Sequence, residues 1–256
     1  MRIQHQSQAP SLTRWLKATG RCCWLLCVGV LLLNAQPGRA NQAAAETGAP
    51  GAAQRQAIHV VSDDNFPPYL FRNADGQVEG YLVDLWQLFE EKTGIKVTLT
   101  ATNWANAQSM IQARQADVID LIFQTPGREA LYEFSKPYAD SPSSLFTHAS
   151  ISGIYGIQTL KGFQIGVQAG DACIEQLKSQ GIHSLLTYPN YATLIAAARS
   201  QEVKIFCMDE SPANFYLYQT GSQHEFLKSF VLYTGQFHRA VPKGEVALLR
   251  QIETGM

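Results

Sequence analysis

A single arginine carries the first chemical hint in this chain. Residues 124–138 read QTPGREALYEFSKPY, which sets Thr125 and Arg128 three apart on a turn just ahead of Phe134, Ser135, Pro137 and Tyr138. A guanidinium held on a loop at the end of a strand offers a rigid, two-pronged donor to a carboxylate. Thr125 and the amides that open a following helix add donors for the same anion. Asp209 follows the apolar run 203–208. A zwitterion needs one buried cation and one buried anion, each costly to desolvate alone, and Arg128 with Asp209 supplies that pair. Asp63 and Asp64 follow the first apolar run and are expected on the rim of the same cleft, where a further carboxylate suits a basic ligand side chain.

These residues need a frame that brings them together. Segments 59–61, 118–123, 163–168 and 203–208 read as strands, as do the β-branched run 96–100 and a short run near 185–188. Helices are expected between them. Leu82, Leu85, Trp86, Leu88 and Phe89 mark one face of the first, closed by Gly94. Trp104 opens a second, running through Met110 and Ile111. Further helices are expected from Gly170 to Gln180, over 191–199 and over 213–218. Phe66-Pro67-Pro68-Tyr69 breaks any helix, and residues 142–158 read as an irregular crossover. Residues 236–241 look like a return strand, with a helix starting near Glu245. Strands alternating with helices argue an α/β protein with mostly parallel sheets. Ligands bind outside the carboxyl ends of such strands, and the polar residues singled out above fall at such ends.

Composition narrows the function classes. Residues 1–40 read as a secretory signal: Arg14, Lys17 and Arg21 precede an apolar run of twelve at 22–33, shorter than the roughly 20 residues of a membrane helix, and cleavage is expected after Ala40. Of the 20 Lys and Arg residues the signal holds five, so the rest of the chain has 15 basic against 21 acidic residues, a net charge of −6. That argues against nucleic acid or anionic lipid as partners, since both need a basic face. Residues 41–57 are small, polar and unpatterned, as in a disordered leader. Cys173 and Cys207 are the two cysteines beyond the signal, and a disulfide or two buried thiols fit equally. No Cys/His spacing resembles a metal site, and no cofactor is implied.

Six segments, in order, resemble the bacterial extracellular solute-binding proteins of family 3, a two-lobed "Venus flytrap" family. They are DDNFPPYLF with GQVEGYLVDL, the helix opened by Trp104, TPGR with FSKPY, the GVQAGD turn, the strand end FCMDESPA, and FHRAVPKG. The resemblance implies a first lobe over 58–148, a second over 149–235 and a return to the first over 236–256. It implies that Arg128 holds a ligand α-carboxylate, that Asp209 takes the α-ammonium and that Phe66 and Trp104 flank the ligand. Two positions depart from the family pattern: Phe123 replaces a hydroxyl, and Gly170-Asp171 replaces a Gly-Thr turn, where the acid would repel an α-carboxylate unless it faces an ammonium and so favours a second cationic group on the ligand. FCMDESPANFYLY and the last segment resemble versions of this domain fused to diguanylate cyclases, phosphodiesterases or sensor kinases. A sensor domain continuing beyond residue 256 toward a membrane segment is therefore expected, with a homodimer if the output is a cyclase. The competing binding role is a soluble periplasmic receptor for an amino-acid ABC importer. An enzyme on the same fold, resembling cyclohexadienyl dehydratases, would need a positioned acid and base. No such pair stands out, so no catalytic residue is assigned.

Overall fold

Six consecutive residues, Val118–Phe123, are buried on both faces and form strand β6, as expected for a strand covered on both sides. The computed structural model describes residues 55–256. The expected signal and all but the last three residues of the expected leader lie outside them. β6 lies between β1 (Ala57–Asp63), which runs parallel to it, and the long strand β12 (Phe226–Pro242), which runs antiparallel. On its other side β1 pairs in parallel with β5 (Lys96–Thr102), from Ala57↔Lys96 to Asp63↔Thr102. β1 starts within the expected leader, and Arg55 just before it pairs with Asp117 and Glu245, so the order of the chain begins earlier than composition suggested.

Helices α1 (Tyr81–Thr93) and α2 (Trp104–Gln112) connect these strands. α1 buries Leu82, Trp86 and Phe89 and ends at Gly94 in the left-handed conformation, φ 73°. Leu88, expected on that face, is 59% exposed. It lies about 120° around the helix from Leu82, outside the buried stripe. A small antiparallel sheet of β2 (Asn65–Phe66), β3 (Leu70–Arg72) and β4 (Val78–Glu79) precedes α1. The short helix α3 (Pro126–Glu129) and β7 (Tyr132–Phe134) follow β6.

The crossover expected over 142–158 begins in a strand, β8 (Ala139–His148). Its mixed polar and aromatic residues, serines among them, had suggested a crossover. The serines are tolerated in a buried strand because Ser143 and Ser144 donate to Asp209 and Glu210. β8 then β12 lie side by side at the centre of the sheet, in the order β10-β9-β11-β8-β12-β6-β1-β5. Both flanks are parallel and the centre is antiparallel. The expected return strand at 236–241 is the second half of the 17-residue β12.

The second lobe holds β9 (Ile165–Gln168), α4 (Ala172–Ser179), β10 (Leu185–Tyr188), α5 (Tyr191–Arg199), β11 (Ile205–Asp209) and α6 (Glu210–Gln219). Cys173 on α4 and Cys207 on β11 are joined in a disulfide, Cα–Cα 6.2 Å, which decides the alternative left open by the sequence. Helix α7 (Val246–Gly255) returns to the first lobe, close against α1: a Cβ on Gly255 would lie 2.3 Å from the Phe89 ring.

Candidate functional site

The carboxyl ends of β1, β6, β9 and β11 converge on one cavity, because the two lobes face each other across the central pair of strands. Its wall is made by Asp63, Phe66, Trp104, Leu121, Phe123 and Arg128 from the first lobe and by Gln168, Asp171, Ala172, Tyr191 and Asp209 from the second. The space left is small, about 30 Å³, room for the centres of a few water-sized bodies. The lobes are thus closed on one another.

Gly170 shows how they are held. Its carbonyl oxygen accepts from the Trp104 indole N–H (2.9 Å), the Gln108 amide (3.2 Å) and the Arg128 guanidinium (2.9 Å), all from the opposite lobe. The turn needs a left-handed residue, φ 75°, and a Cβ there would fall 2.3 Å from the Gln108 amide nitrogen. Glycine satisfies both demands. A second bridge runs from the Gln168 amide to Asp63 Oδ2 at 2.5 Å.

Arg128 is carried by α3 immediately after β6 and is buried. One terminal nitrogen donates to the Phe123 carbonyl and the other to Gly170, each at 2.9 Å, and its carbon lies 5.4 Å from the centre of the Trp104 ring. Two of its five N–H donors are used in this way, which leaves three for an anion. Burial lowers its pKa, and the nearby Asp171 works against that.

Three buried acids share the cavity with this one cation. Asp171 is at the N-cap of α4, where Oδ1 accepts from the Cys173 amide and Oδ2 from the Tyr191 hydroxyl at 2.6 Å. Asp209 precedes α6 but makes no cap bond; its carboxylate accepts from Ser143 instead. Burial raises the pKa of both, and for Asp209 the Asp171 charge adds to the rise. Burial also pushes the Asp63 carboxyl up to about 7, against the Gln168 and Asn65 hydrogen bonds that favour its charged form. Outside the cavity the neighbouring acids are matched: Asp64 pairs with Arg72 and Glu210 with Lys228. The cavity wall is not matched, and its carboxylates outnumber its single cation.

Six of the seven residues expected to form the site therefore meet around one cavity: Asp63, Phe66, Trp104, Arg128, Asp171 and Asp209. Thr125 does not. It lines a separate groove behind β12, its hydroxyl is buried without a protein partner, and its carbonyl accepts from the Arg128 and Glu129 amides. Asp63 is also not on the rim, being 3% exposed, because β1 continues through it to its pairing with Thr102. Asp64 is the outer residue of the two. Sequence reasoning missed Gln168, Tyr191 and Ser143. Gln168 ends β9, so the strand-end rule would have found it, and Tyr191 opens α5 as Trp104 opens α2. Ser143 gave no signal, since its strand had been read as irregular.

Beneath the site, Asp120 on β6 is fully buried. It accepts from the Trp86 indole (2.9 Å), the Tyr138 hydroxyl (2.7 Å) and the Leu121 amide (2.8 Å), and Arg239 approaches it to 3.4 Å. Arg239 also covers the Tyr138 ring at 4.4 Å. Leu121, next in the chain, has φ 59°, where an L-residue with a branched side chain is strained. The β6–β12 register slips between His238 and Ala240, so the strand bends where it meets the cavity.

Among the described residues no helix is long and apolar enough to cross a membrane, and no group of three or more His, Cys, Asp or Glu side chains is arranged to hold a metal ion. The chain is 26% identical over 164 residues to the L-cystine-binding protein TcyJ of Escherichia coli strain K12, covering 62% of this chain and 61% of that protein. The match thus spans about three fifths of that relative. It is 30% identical over 88 residues to an octopine-binding periplasmic protein of Rhizobium meliloti, 34% of this chain and 30% of the relative. Among solved structures, the fold resembles a histidine kinase sensor domain similar to periplasmic binding proteins, with TM-score 0.73, 20% identity and coverage of 79% and 89%. It also resembles holo ArgBP from T. maritima, with TM-score 0.69, 19% identity and coverage of 78% and 88%. The family model of the bacterial extracellular solute-binding proteins, family 3, matches residues 58–256, and the chain belongs to that family.

Proposed function

We propose that this chain is a periplasmic domain that binds a basic amino acid by closing its lobes around it, and that its role is sensory. The observation that carries the reading is the unbalanced cavity: Arg128 from one lobe faces Asp171 and Asp209 from the other, and Asp63 adds a further acid. In this reading Arg128 takes the α-carboxylate with its unused donors, and the Asp209–Asp171 pair takes the α-ammonium. Phe66 and Trp104 flank the bound molecule, and Asp63 meets a cationic side chain. The ligand gains its full set of partners only when the lobes meet, which is the differential contact that ligand-driven closure requires. The relatives named above are binding proteins, which fits a domain that performs no chemistry.

The sensory role is supported by the likeness to a histidine kinase sensor domain. A soluble receptor for an ABC importer is the second reading, and a Haemophilus influenzae relative described as a probable amino-acid ABC transporter-binding protein favours it (27% identical over 132 residues). Membrane fractionation of the native protein separates the two: a sensor remains with the membrane, and an importer receptor is released with the periplasm.

A thermal-shift screen against the amino acids, cystine, octopine and polyamines tests the ligand class. A ligand at about a hundred times its dissociation constant stabilises by roughly 2.7 kcal/mol, on the order of 5–10 °C here. The shift should come from basic amino acids and vanish in Arg128→Ala and Asp209→Asn. A shift only with neutral or acidic compounds would refute the assignment.

A further inference from the structure

Gln168 is a polar side chain in an unusual position. It ends β9, is 1% exposed, and lines the cavity from the second lobe. Its amide nitrogen donates to Asp63 Oδ2 across the cleft, but its amide oxygen is buried without a protein partner. With Asp63 ionised, as a cationic ligand group requires of it, the opposite orientation of the amide would set that oxygen against the carboxylate, acceptor to acceptor, so the amide nitrogen is the end that faces Asp63. Buried polar groups in folded proteins are nearly always paired, and an acceptor left over at a binding site calls for a donor from a ligand or from an ordered water. In the closed cavity no protein donor reaches that oxygen. The charged groups acting on Asp63 are the acids Asp64 and Asp171, whereas Arg128 acts on Asp171 and Asp209. Tyr191 has already committed its hydroxyl to Asp171.

We propose that Gln168 is a specificity-determining residue: its free amide oxygen and the Asp63 carboxylate together form an acceptor pair that reads an N–H-bearing cationic group at the distal end of the ligand. The inference rests on the basic amino-acid reading and adds to it the means by which a neutral side chain of the same shape is refused. A neutral end that brings no donor leaves both acceptors buried and unmatched, and sites built to hydrogen-bond a group discriminate strongly against analogues lacking it. The bond from Gln168 to Asp63 has a second consequence: it holds the two acceptors together only when the lobes are closed, so side-chain reading and closure occur in one step.

The test uses two ligand pairs matched in shape: L-lysine with L-2-aminoheptanoic acid, which has a methyl in place of the ammonium and brings no donor, and L-arginine with L-citrulline, which keeps N–H donors and loses the charge. Each is titrated by calorimetry into the wild type, Gln168→Met and Gln168→Glu near pH 8. Methionine keeps the length of the side chain and removes both polar ends. Glutamate removes the donor to Asp63 and keeps an acceptor. The expected result is a basic-over-neutral preference in the wild type that falls about tenfold or more in Gln168→Met and persists in Gln168→Glu. A residue that only clasps the lobes loses its clasp in both variants, so an equal weakening of all ligands in both, with the preference unchanged, overturns the proposal. Binding of basic ligands to the wild type in that case leaves the proposed function standing. Failure of all four ligands to bind the wild type overturns both.

Discussion

Replacing Asp63 by asparagine removes one buried charge while keeping the shape of the side chain, and the structure sets the size of the effect. The carboxyl rises from 3.8 to about 7 on folding, chiefly through burial. A group whose pKa is higher in the folded state contributes stability that is fully present below its unfolded value and is lost as the pH rises through the folded one. With these two values, the ligand-free wild type loses about 2–3 kcal/mol between about pH 5 and about pH 8 from this group. Asp63→Asn has no such loss. Asparagine also changes the bonds to Gln168 and the Asn65 amide, but that offset does not depend on pH, so the difference in slope belongs to the carboxyl. Urea denaturation of both proteins across this range measures it. Asp209 tilts both curves alike, and the Asp171 charge, which acts on Asp63, adds less to the difference than burial, the largest cause of the rise. Parallel pH profiles for the two proteins would show that Asp63 is well solvated or already paired, and the charge argument for a cationic ligand would fall with it.

Other parts of the fold offer equally direct tests. Gly170→Ala forces a Cβ into left-handed backbone beside Gln108. It should destabilise by about 1–2 kcal/mol and free the Trp104 indole from the Gly170 carbonyl, seen as a red shift in tryptophan emission; an unchanged spectrum and unchanged stability would dismiss the latch. Reduction of Cys173–Cys207, which closes a loop of sequence separation 34, should cost about 3–4 kcal/mol by the chain-entropy relation, read as a drop in the urea midpoint with dithiothreitol present. Arg239→Leu leaves the fully buried Asp120 without its cation and should cost about 3–5 kcal/mol, whereas a loss below 1 kcal/mol would mean that the Trp86 and Tyr138 hydrogen bonds suffice for that carboxylate.

Much of this architecture was legible in the sequence because its elements are buried on patterns that repeat. Val118–Phe123 is apolar almost throughout and is a strand with those bounds, and Leu185–Tyr188 and Tyr191–Arg199 likewise fall where the pattern places them. What escaped was decided by partners far away in the chain. β8 is rich in serine and becomes a strand through pairing with β11 and β12 and through hydroxyls that reach Asp209 and Glu210. β12 looked half its length for the same reason: its first half, mostly half-buried or exposed, is held by β8. Within the site, charged residues were visible because charge at a strand end is conspicuous. Gln168 and Tyr191 are neutral, and only the cavity shows that their polar ends are buried. Thr125 was misplaced because a spacing of three to Arg128 does not say which way the hydroxyl turns once α3 begins.

The path of the chain through the two lobes has a kinetic side. The second lobe comes from one uninterrupted stretch, and its strands pair with near neighbours: Ile165 meets Leu185, and the disulfide spans 34 positions. The first lobe is assembled from both ends of the described chain. Arg55 bonds Glu245 and Gln251, 190 and 196 positions away, and β6 is flanked by the far end of β12. Contacts that join distant segments form slowly, since the intervening chain must be ordered first. On a chain synthesised from its N-terminus, the inserted lobe is thus free to mature while its host still lacks a strand and a helix. Pulse-labelling hydrogen exchange should find amides of β9 and β11 protected before the β6–β12 pairing, and the site, which needs both lobes, should be the last feature of the molecule to exist.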